Sequence, residues 1–399
     1  MDMTITPRPL KGDITVIPSK SQAHRLLVCA AFANNESTLI CPEINRDIEA
    51  TVDCLNALGA DIIRTPDGFS IDPVSKIPET ATLNCCESGS TLRFMLPIVG
   101  ALGVDATFQM AGRLPQRPLS PLWEEMERMG CTLTRPTADT LRCTGKLRPG
   151  VYNIDGGVSS QFITGLLFAA ALMKGPSQIQ IIGKLESAPY VTMTQNAMAA
   201  FGVHSDGFKV SGNEDFHTPG LVHVEGDWSN GAFLLAANAL GSALNIRGLD
   251  PKSPQGDRAV VDICHQLLAG TPTVDASDIP DLVPILSIVA GAKNGAAFTN
   301  IQRLRIKESD RVASTIAMVE ALGGRAWATE DTLTVSGTGY RGGIVDAQND
   351  HRIAMSAAIA ATVCTEPVTV LGAEAVKKSY PKFWDEYARL GGNYEQYLR

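Results

Sequence analysis

The sequence predicts a two-domain α/β protein made of six copies of one βαβαββ unit, helices inside and sheets outside. Three observations carry that prediction. A helical run closed by glycine recurs at Leu55–Gly59, Met126–Gly130, Met198–Gly202, Gln266–Gly270, Val319–Gly323 and Tyr387–Gly391. Its period is roughly 70 residues, with one shorter interval between the fourth and fifth copies. Strand-like pairs follow the glycine around a polar turn, as in Ala60–Ile63 with Phe69–Ile71 and Ala326–Ala328 with Thr332–Val335. Finally, Phe162–Met173, Ala232–Leu240 and Ile353–Val363 are apolar almost without a break. A helix apolar all round is a buried one. The result is an inside-out α/β barrel, the reverse of a TIM barrel, and six copies divide naturally into two domains of three.

Within each copy, a first helix opens on a Ser or Asp cap and runs into small apolar residues. The openings fall near Ser21, Ser88, Ser159, Ser229, Asp281 and Asp350. A second helix opens later in each copy, near Asp47, Leu119, Tyr190, Asp257, Ser309 and Pro381, and glycine stops it.

Composition excludes several classes. A chain of 399 residues suffices for two domains with separate cores. Its net charge of −8 argues against bulk-charge binding to nucleic acid, so any anion must be held by local cations. The nine cysteines contain no Cys-x-x-Cys pair, and Cys29, Cys54, Cys264 and Cys364 lie in apolar helical stretches. Reduced core cysteine in a cytoplasmic protein is expected. Met1–Pro18 carries no signal-peptide pattern, and no run is long enough to cross a bilayer. No His/Cys/Asp set has metal spacing, so neither metal nor organic cofactor is expected.

The densest chemistry is Leu304–Arg311, with two carboxylates and three cations just ahead of an apolar-periodic run. Lys307 and Arg311 at a helix start are electrostatically backward unless an anion sits among them. An ordinary Glu308–Arg311 pair at i, i+3 is the plainer alternative. Lys20, Ser21 and Arg25 open the first helix, where His24 is expected to be structural. Glu87–Arg93 is a small-residue turn in which Gly89 lets a ligand approach the backbone. Arg113 and Arg117 lie in a proline-bounded loop, with Pro118 suited to the first helical position. Ser159, Ser160 and Gln161 supply more hydrogen-bonding groups than capping needs, and Ser187 opens the next helix similarly. Asp350 reads as an N-cap, Asp281 as either cap or site residue, and Lys377–Lys378 precede the last helix. So many cations without counter-charge are costly, and multiply charged anions would relieve that cost. The residues alone thus indicate an enzyme or binder for phosphorylated small acids.

Taken in order, Pro18–Arg25, Ser159–Phe162, Leu304–Arg311 and Asn349–Arg352 resemble the motifs of the 5-enolpyruvylshikimate-3-phosphate (EPSP) synthase family over essentially the whole chain. The resemblance implies a discontinuous domain of residues 1–17 and 226–399, and an inserted domain of residues 18–225, with the active site in a cleft between them. It implies shikimate 3-phosphate and phosphoenolpyruvate as substrates of a monomer. Lys20, Ser21, Arg25, Ser159, Ser160, Gln161, Ser187, Asp281 and Lys307 would hold the former. Lys20, Gly89, Arg117, Gln161, Arg311, Arg352 and Lys378 would hold the latter. Asp281, Glu308 and Lys378 would move protons. Glu87, Ser90 and Arg303 depart from residues frequent in that family. The related transferases that act on UDP-N-acetylglucosamine carry a reactive Cys in the loop matching Gly112–Pro118, which has none here.

Overall fold

The computed structural model describes residues 1–397. Contacts divide it into two compact units, Pro18–Val224 and a second made of Met1–Ile17 with the chain from Glu225 onward. Helices of the first unit are α1 (Lys20–Ala31), α2 (Arg46–Ala57), α3 (Gly89–Leu102), α4 (Leu122–Arg128), α5 (Ser160–Leu172) and α6 (Ala188–Ala200). Those of the second are α7 (Trp228–Ala239), α8 (Val260–Ala269), α9 (Val283–Ala292), α10 (Arg311–Ala321), α11 (His351–Ala360) and α12 (Phe383–Arg389).

Each unit carries three sheets among the described residues, and four of the six share one strand order. In Thr80–Gly145, the strand Thr80–Asn84 pairs parallel with Asp105–Gln109. Asp105–Gln109 then pairs antiparallel with Thr140–Gly145, whose other edge takes Cys131–Thr134. The parallel step requires a crossover, which α3 supplies, whereas the last two strands need only a hairpin. Thr273–Ser336 repeats this arrangement.

Two sheets reach the same order by borrowing a strand. Leu221–His223 returns to pair parallel with Ser37–Ile40, and the N-terminal Asp2–Thr6 inserts between Val368–Leu371 and Asn393–Tyr397. The ends of each unit's chain path are thereby tied into sheets. The remaining copies are shorter than the repeat predicts. One has three strands, ending in the two-residue Lys209–Val210, and the other has only Lys11–Thr15 with Ala243–Arg247. No ladder joins one sheet to another among the described residues, so the strands close no barrel.

The apolar runs are buried as their composition requires. In α5, Phe162, Ile163 and Leu166 to Ala171 are at most 1 % exposed, and Ile353 to Ala360 of α11 match them. Strands alternate instead, with Leu83 buried between exposed neighbours Thr82 and Asn84. One face of each sheet is thus covered while both sides of these helices are. Burial of each large aliphatic side chain contributes ~1.5–3 kcal/mol. Eight cysteines are buried and all nine are free, Cys364 lying just beyond α11 rather than within it. Among the described residues no helix is long and apolar enough to cross a membrane.

Helix openings differ from the expected positions by a few residues. Ser19 caps α1 in place of Ser21, Asp227 caps α7 in place of Ser229, and Asp310 caps α10 in place of Ser309. Pro118 is not the first residue of α4, because a 3-10 turn at Leu114–Gln116 occupies the loop and the helix begins at Leu122. A 3-10 turn, Gly256–Ala259, likewise precedes α8. For α1, α7 and α10 a short polar residue was available one or two positions away, and spacing alone does not choose between them.

Helices α3 and α5 pack closely enough to demand glycine. A Cβ at Gly165 would overlap the Arg93 carbonyl oxygen and lie 3.0 Å from Pro97 Cγ. Gly165→Ala is expected to lower the unfolding free energy by about 1–3 kcal/mol in a urea titration. Gly270→Ala, whose Cβ meets nothing within 4 Å, should stay within roughly 0.5 kcal/mol of the parent.

Candidate functional site

In the first unit, the polar residues at the helix openings hydrogen-bond from one helix to another. Lys20 Nζ donates to Asp47 Oδ2 at 2.9 Å, joining α1 to α2. His24 Nδ1 lies 2.7 Å from Thr51 Oγ1, which lies 2.7 Å from Thr91 Oγ1 of α3. Burial holds the His24 imidazole well below its usual range, and Lys20 and Arg25 lower it further. A neutral, buried ring of this kind is structural.

Arg25, 2 % exposed, is satisfied entirely by neutral groups among the bonds seen. It donates to Thr194 Oγ1 at 2.8 Å and to the Ser21 and Tyr190 carbonyls at 2.6 and 3.0 Å. Burial brings the guanidinium down to about 10. The Phe94 ring, 5.2 Å from the guanidinium carbon, adds a cation–π contact.

Gln161 at the start of α5 bridges to α3. Its Nε2 donates to Ser90 Oγ at 2.9 Å, and its Oε1 accepts from Arg93 Nη1 at 2.9 Å. Arg93 also donates to the Pro118 carbonyl at 3.1 Å, fixing the loop that carries Arg117. A Cβ at Gly89 would lie 2.7 Å from Nη1 of both Arg93 and Arg117. Glycine therefore lets two guanidinium groups meet over one backbone position. Ser160 and Ser187 are buried, Ser159 caps α5, and Ser187 enters α6 with φ of 56°. Arg93 was not among the expected site residues. It lies one turn along α3 from Gly89, on the same face, a spacing from which it could have been found.

The second unit has a network of different character. Arg311, 1 % exposed, donates from Nε to Asp350 Oδ2 at 2.8 Å, from Nη1 to Asp281 Oδ1 at 2.6 Å, and from Nη2 to Glu308 Oε2 at 2.6 Å. Asp281 also accepts from Arg352 Nη2 at 2.9 Å and faces Lys307 Nζ at 3.7 Å. Asp350 is more than the cap it was expected to be, since it accepts from Arg352 N, Ser309 Oγ and Arg311 together. The N-cap of α9 is Leu282 rather than Asp281. Lys378 Nζ donates to the Asn349 carbonyl at 2.8 Å. The expectation of cations without counter-charge is thus corrected, because Arg311, Arg352, Lys307 and Lys20 each face a carboxylate. The Glu308–Arg311 pair at i, i+3 is present as well.

The electrostatics follow from this geometry. Burial alone would raise the Asp281 carboxyl, but Arg352, then Lys307 and Arg311, hold it well below the usual carboxylate range. Against the same burial, Arg311 and His351 keep Asp350 low. Burial lowers Lys307 to about 8, opposed by Asp281 and assisted by Arg303 and Arg311. Arg303, one of the departures from the family pattern, therefore bears directly on Lys307. Asp350 is fully buried, whereas the side chains of Asp281 and Glu308 are 19 % and 26 % exposed. A fixed inner carboxylate holds Arg311 while two outer ones face solvent.

The same α/β fold is found in enolpyruvyl transferases of known structure. EPSP synthase from Acinetobacter baumannii matches with a TM-score of 0.80 at 22 % identity, over 99 % of this chain and all of that one. The enolpyruvyl transferase NikO from Streptomyces tendae matches with a TM-score of 0.74 at 17 % identity, over 99 % and 98 %. Residues 5–387 match the family model of EPSP synthase (3-phosphoshikimate 1-carboxyvinyltransferase). The 3-phosphoshikimate 1-carboxyvinyltransferases of Clostridium kluyveri and Clostridium acetobutylicum are each 37 % identical over 420 residues, covering 99 % and 98 % of this chain and 98 % of each relative. The chain belongs to the EPSP synthase family, the transferases that move an enolpyruvyl group in the shikimate pathway.

Removing the Asp350 carboxylate strands a buried guanidinium. Asp350→Ala is expected to cost about 3 kcal/mol, the low end for a broken buried pair because Asp281 and Glu308 remain. Both Asp350 and Asp281 sit below their ordinary values, so their stabilisation is full above roughly pH 4 and is lost as pH falls through the lower folded values. Thermal melts from pH 6 to 3 should show that loss in the parent and a shallower one in Asp350→Ala.

Proposed function

We propose that the chain transfers the enolpyruvyl group of phosphoenolpyruvate to the 5-hydroxyl of shikimate 3-phosphate, giving 5-enolpyruvylshikimate 3-phosphate and phosphate. The observation that carries this reading is the Arg311 cluster, in which solvent-facing Asp281 and Glu308 lie on guanidinium groups anchored from behind by Asp350. Such an arrangement fixes guanidinium groups in place and sets proton carriers beside them. The family motifs assign the remaining contacts. Lys20, Ser21, Arg25, Ser159, Ser160, Gln161, Ser187, Asp281 and Lys307 hold shikimate 3-phosphate. Lys20, Gly89, Arg117, Gln161, Arg311, Arg352 and Lys378 hold phosphoenolpyruvate.

The reaction proceeds through a tetrahedral intermediate. A proton delivered to the methylene carbon leaves C2 cationic, and the 5-hydroxyl attacks C2 as its own proton departs. The resulting ketal phosphate then loses phosphate, and a base removes a proton from the new methyl group. Asp281, Glu308 and Lys378 are the proton carriers, and the arginines stabilise charge on the departing phosphate. The reading takes the six sheets as six copies of one βαβαββ unit, two of them shortened, in an inside-out arrangement. The protein acts as a cytoplasmic monomer and requires no cofactor.

Phosphate release from phosphoenolpyruvate should depend on shikimate 3-phosphate and persist in chelator. Release with UDP-N-acetylglucosamine instead would move the activity to the related transferases. Glu308→Gln is expected to lower kcat by about 10²–10⁴-fold while both KM values hold within a few-fold, as befits loss of a proton carrier. An unchanged kcat would remove Glu308 from the mechanism. Arg117→Ala should raise KM for phosphoenolpyruvate by about 10- to 100-fold, the worth of one charged hydrogen bond, with a smaller effect on shikimate 3-phosphate. Equal effects on both would overturn its assignment.

A further inference from the structure

Beside Arg352 lies a second acid that the reaction does not use. Asp257, in the 3-10 turn before α8, is 2 % exposed. Its Oδ2 accepts a hydrogen bond from Ser229 Oγ, in the first turn of α7. Its Oδ1 is buried with no hydrogen-bond partner among the described residues. The carbonyl of the same Ser229 accepts from Arg352 Nη1 at 3.5 Å. Arg352 is therefore flanked by Asp281, bonded to Nη2, and by Asp257, joined to Nη1 through Ser229.

The groups facing Asp257 are Asp281, Asp227 at the cap of α7, Ser229 and the Arg352 guanidinium. On its own turn, Arg258 donates instead to the Pro251 carbonyl. A buried carboxylate with an unpartnered oxygen and two acidic neighbours is stable only if protonated or tightly compensated. Arg352 is the cation that compensates it, and Arg352 is already engaged by Asp281. An anion arriving at Arg352 adds a third negative group to one guanidinium and withdraws that compensation from Asp257.

We propose that Asp257 is a proton-linked positioning residue for Arg352, taking up a proton when an anion binds that guanidinium. This rests on the assignment of Arg352 to phosphoenolpyruvate made above. Linkage is reciprocal, so the protonated carboxyl strengthens anion binding by the factor with which the anion favours protonation. Burial, with Asp281 opposed by Arg352, pushes the Asp257 carboxyl up to about 7, where the exchange falls within the working pH range. Asp281, held low by three cations, stays ionised, so the two acids on either side of Arg352 divide the roles.

The test compares the parent, Asp257→Asn and Ser229→Ala between pH 6.5 and 8; Lys307, near 8, begins to lose its charge at the top of this interval in all three proteins, so the difference between them isolates Asp257. KM for phosphoenolpyruvate in the parent should rise about five- to tenfold across that interval, while KM for shikimate 3-phosphate changes little. In Asp257→Asn, which is fixed in the neutral form, the rise should vanish and KM should stay near the low-pH value. Ser229→Ala removes a hydrogen bond that favours the carboxylate, so the break should move to higher pH.

A second readout needs no turnover, and uses sulfate because it stays dianionic throughout this range. Low-millimolar sulfate should raise the parent Tm more at pH 6.5 than at pH 8, and equally at both in Asp257→Asn. An Asp257→Asn variant that keeps the parent's pH slope in either readout overturns the proposal. If that variant fails to fold, a Ser229→Ala break at the parent's pH does so. A parent that binds sulfate with the expected slope but releases no phosphate sinks the assigned reaction and leaves the linkage standing.

Discussion

The second unit depends on keeping one guanidinium charged in a place where water does not reach it. Arg311 is almost wholly buried, and three carboxylates from three segments converge on it. Isolating that charge would cost several kcal/mol, so the segments carrying Asp281, Glu308 and Asp350 are constrained to meet. The openings of α9, α10 and α11 are thereby registered against one another. Asp310 caps α10 and sets Arg311 as its first residue, while Asp350 caps α11 and reaches back to Arg311. One buried ion pair thus couples helix starts that the chain separates by tens of residues.

The first unit solves a similar problem with neutral partners. Arg25 is surrounded by threonine hydroxyls, carbonyls and aromatic faces rather than by carboxylates. Its charge is stabilised by dipoles but not cancelled. Arg93 and Arg117 meet over Gly89 in the same spirit, with Gln161 and a carbonyl as Arg93's partners. Around Arg311 the charge is largely balanced, and carboxylates able to carry protons stand at the solvent side. The two networks differ in chemistry although the same kind of helix opening builds both.

That contrast follows from the repeat. Strand order is shared by four sheets, and the apolar helices are interchangeable in composition. What varies is the residue at each helix opening: Ser159–Gln161 in one copy, Arg311 in another, Asp350–Arg352 in a third. A scaffold stabilised by apolar burial leaves those positions free to differ from copy to copy.

Periodicity and composition determined a good deal of this protein. The glycine-closed helices, the hairpins at Ala60–Ile71 and Ala326–Val335, and the fully apolar helices are local properties, and local sequence carries them. Ordered motifs determined the family. The tertiary structure decided what local sequence does not encode, namely which side chains share a proton, a charge or a carbonyl. It shortened two sheets, closed two others with strands distant in the chain, and moved caps by a residue or two. It made Asp350 a ligand of Arg311 as well as a cap, brought Arg93 to Gln161, and joined Asp257 to Arg352 through Ser229. These last contacts span between 28 and 123 residues of chain. Hydrophobic period fixes which face of an element is buried, but pairings at such separations depend on how the elements pack.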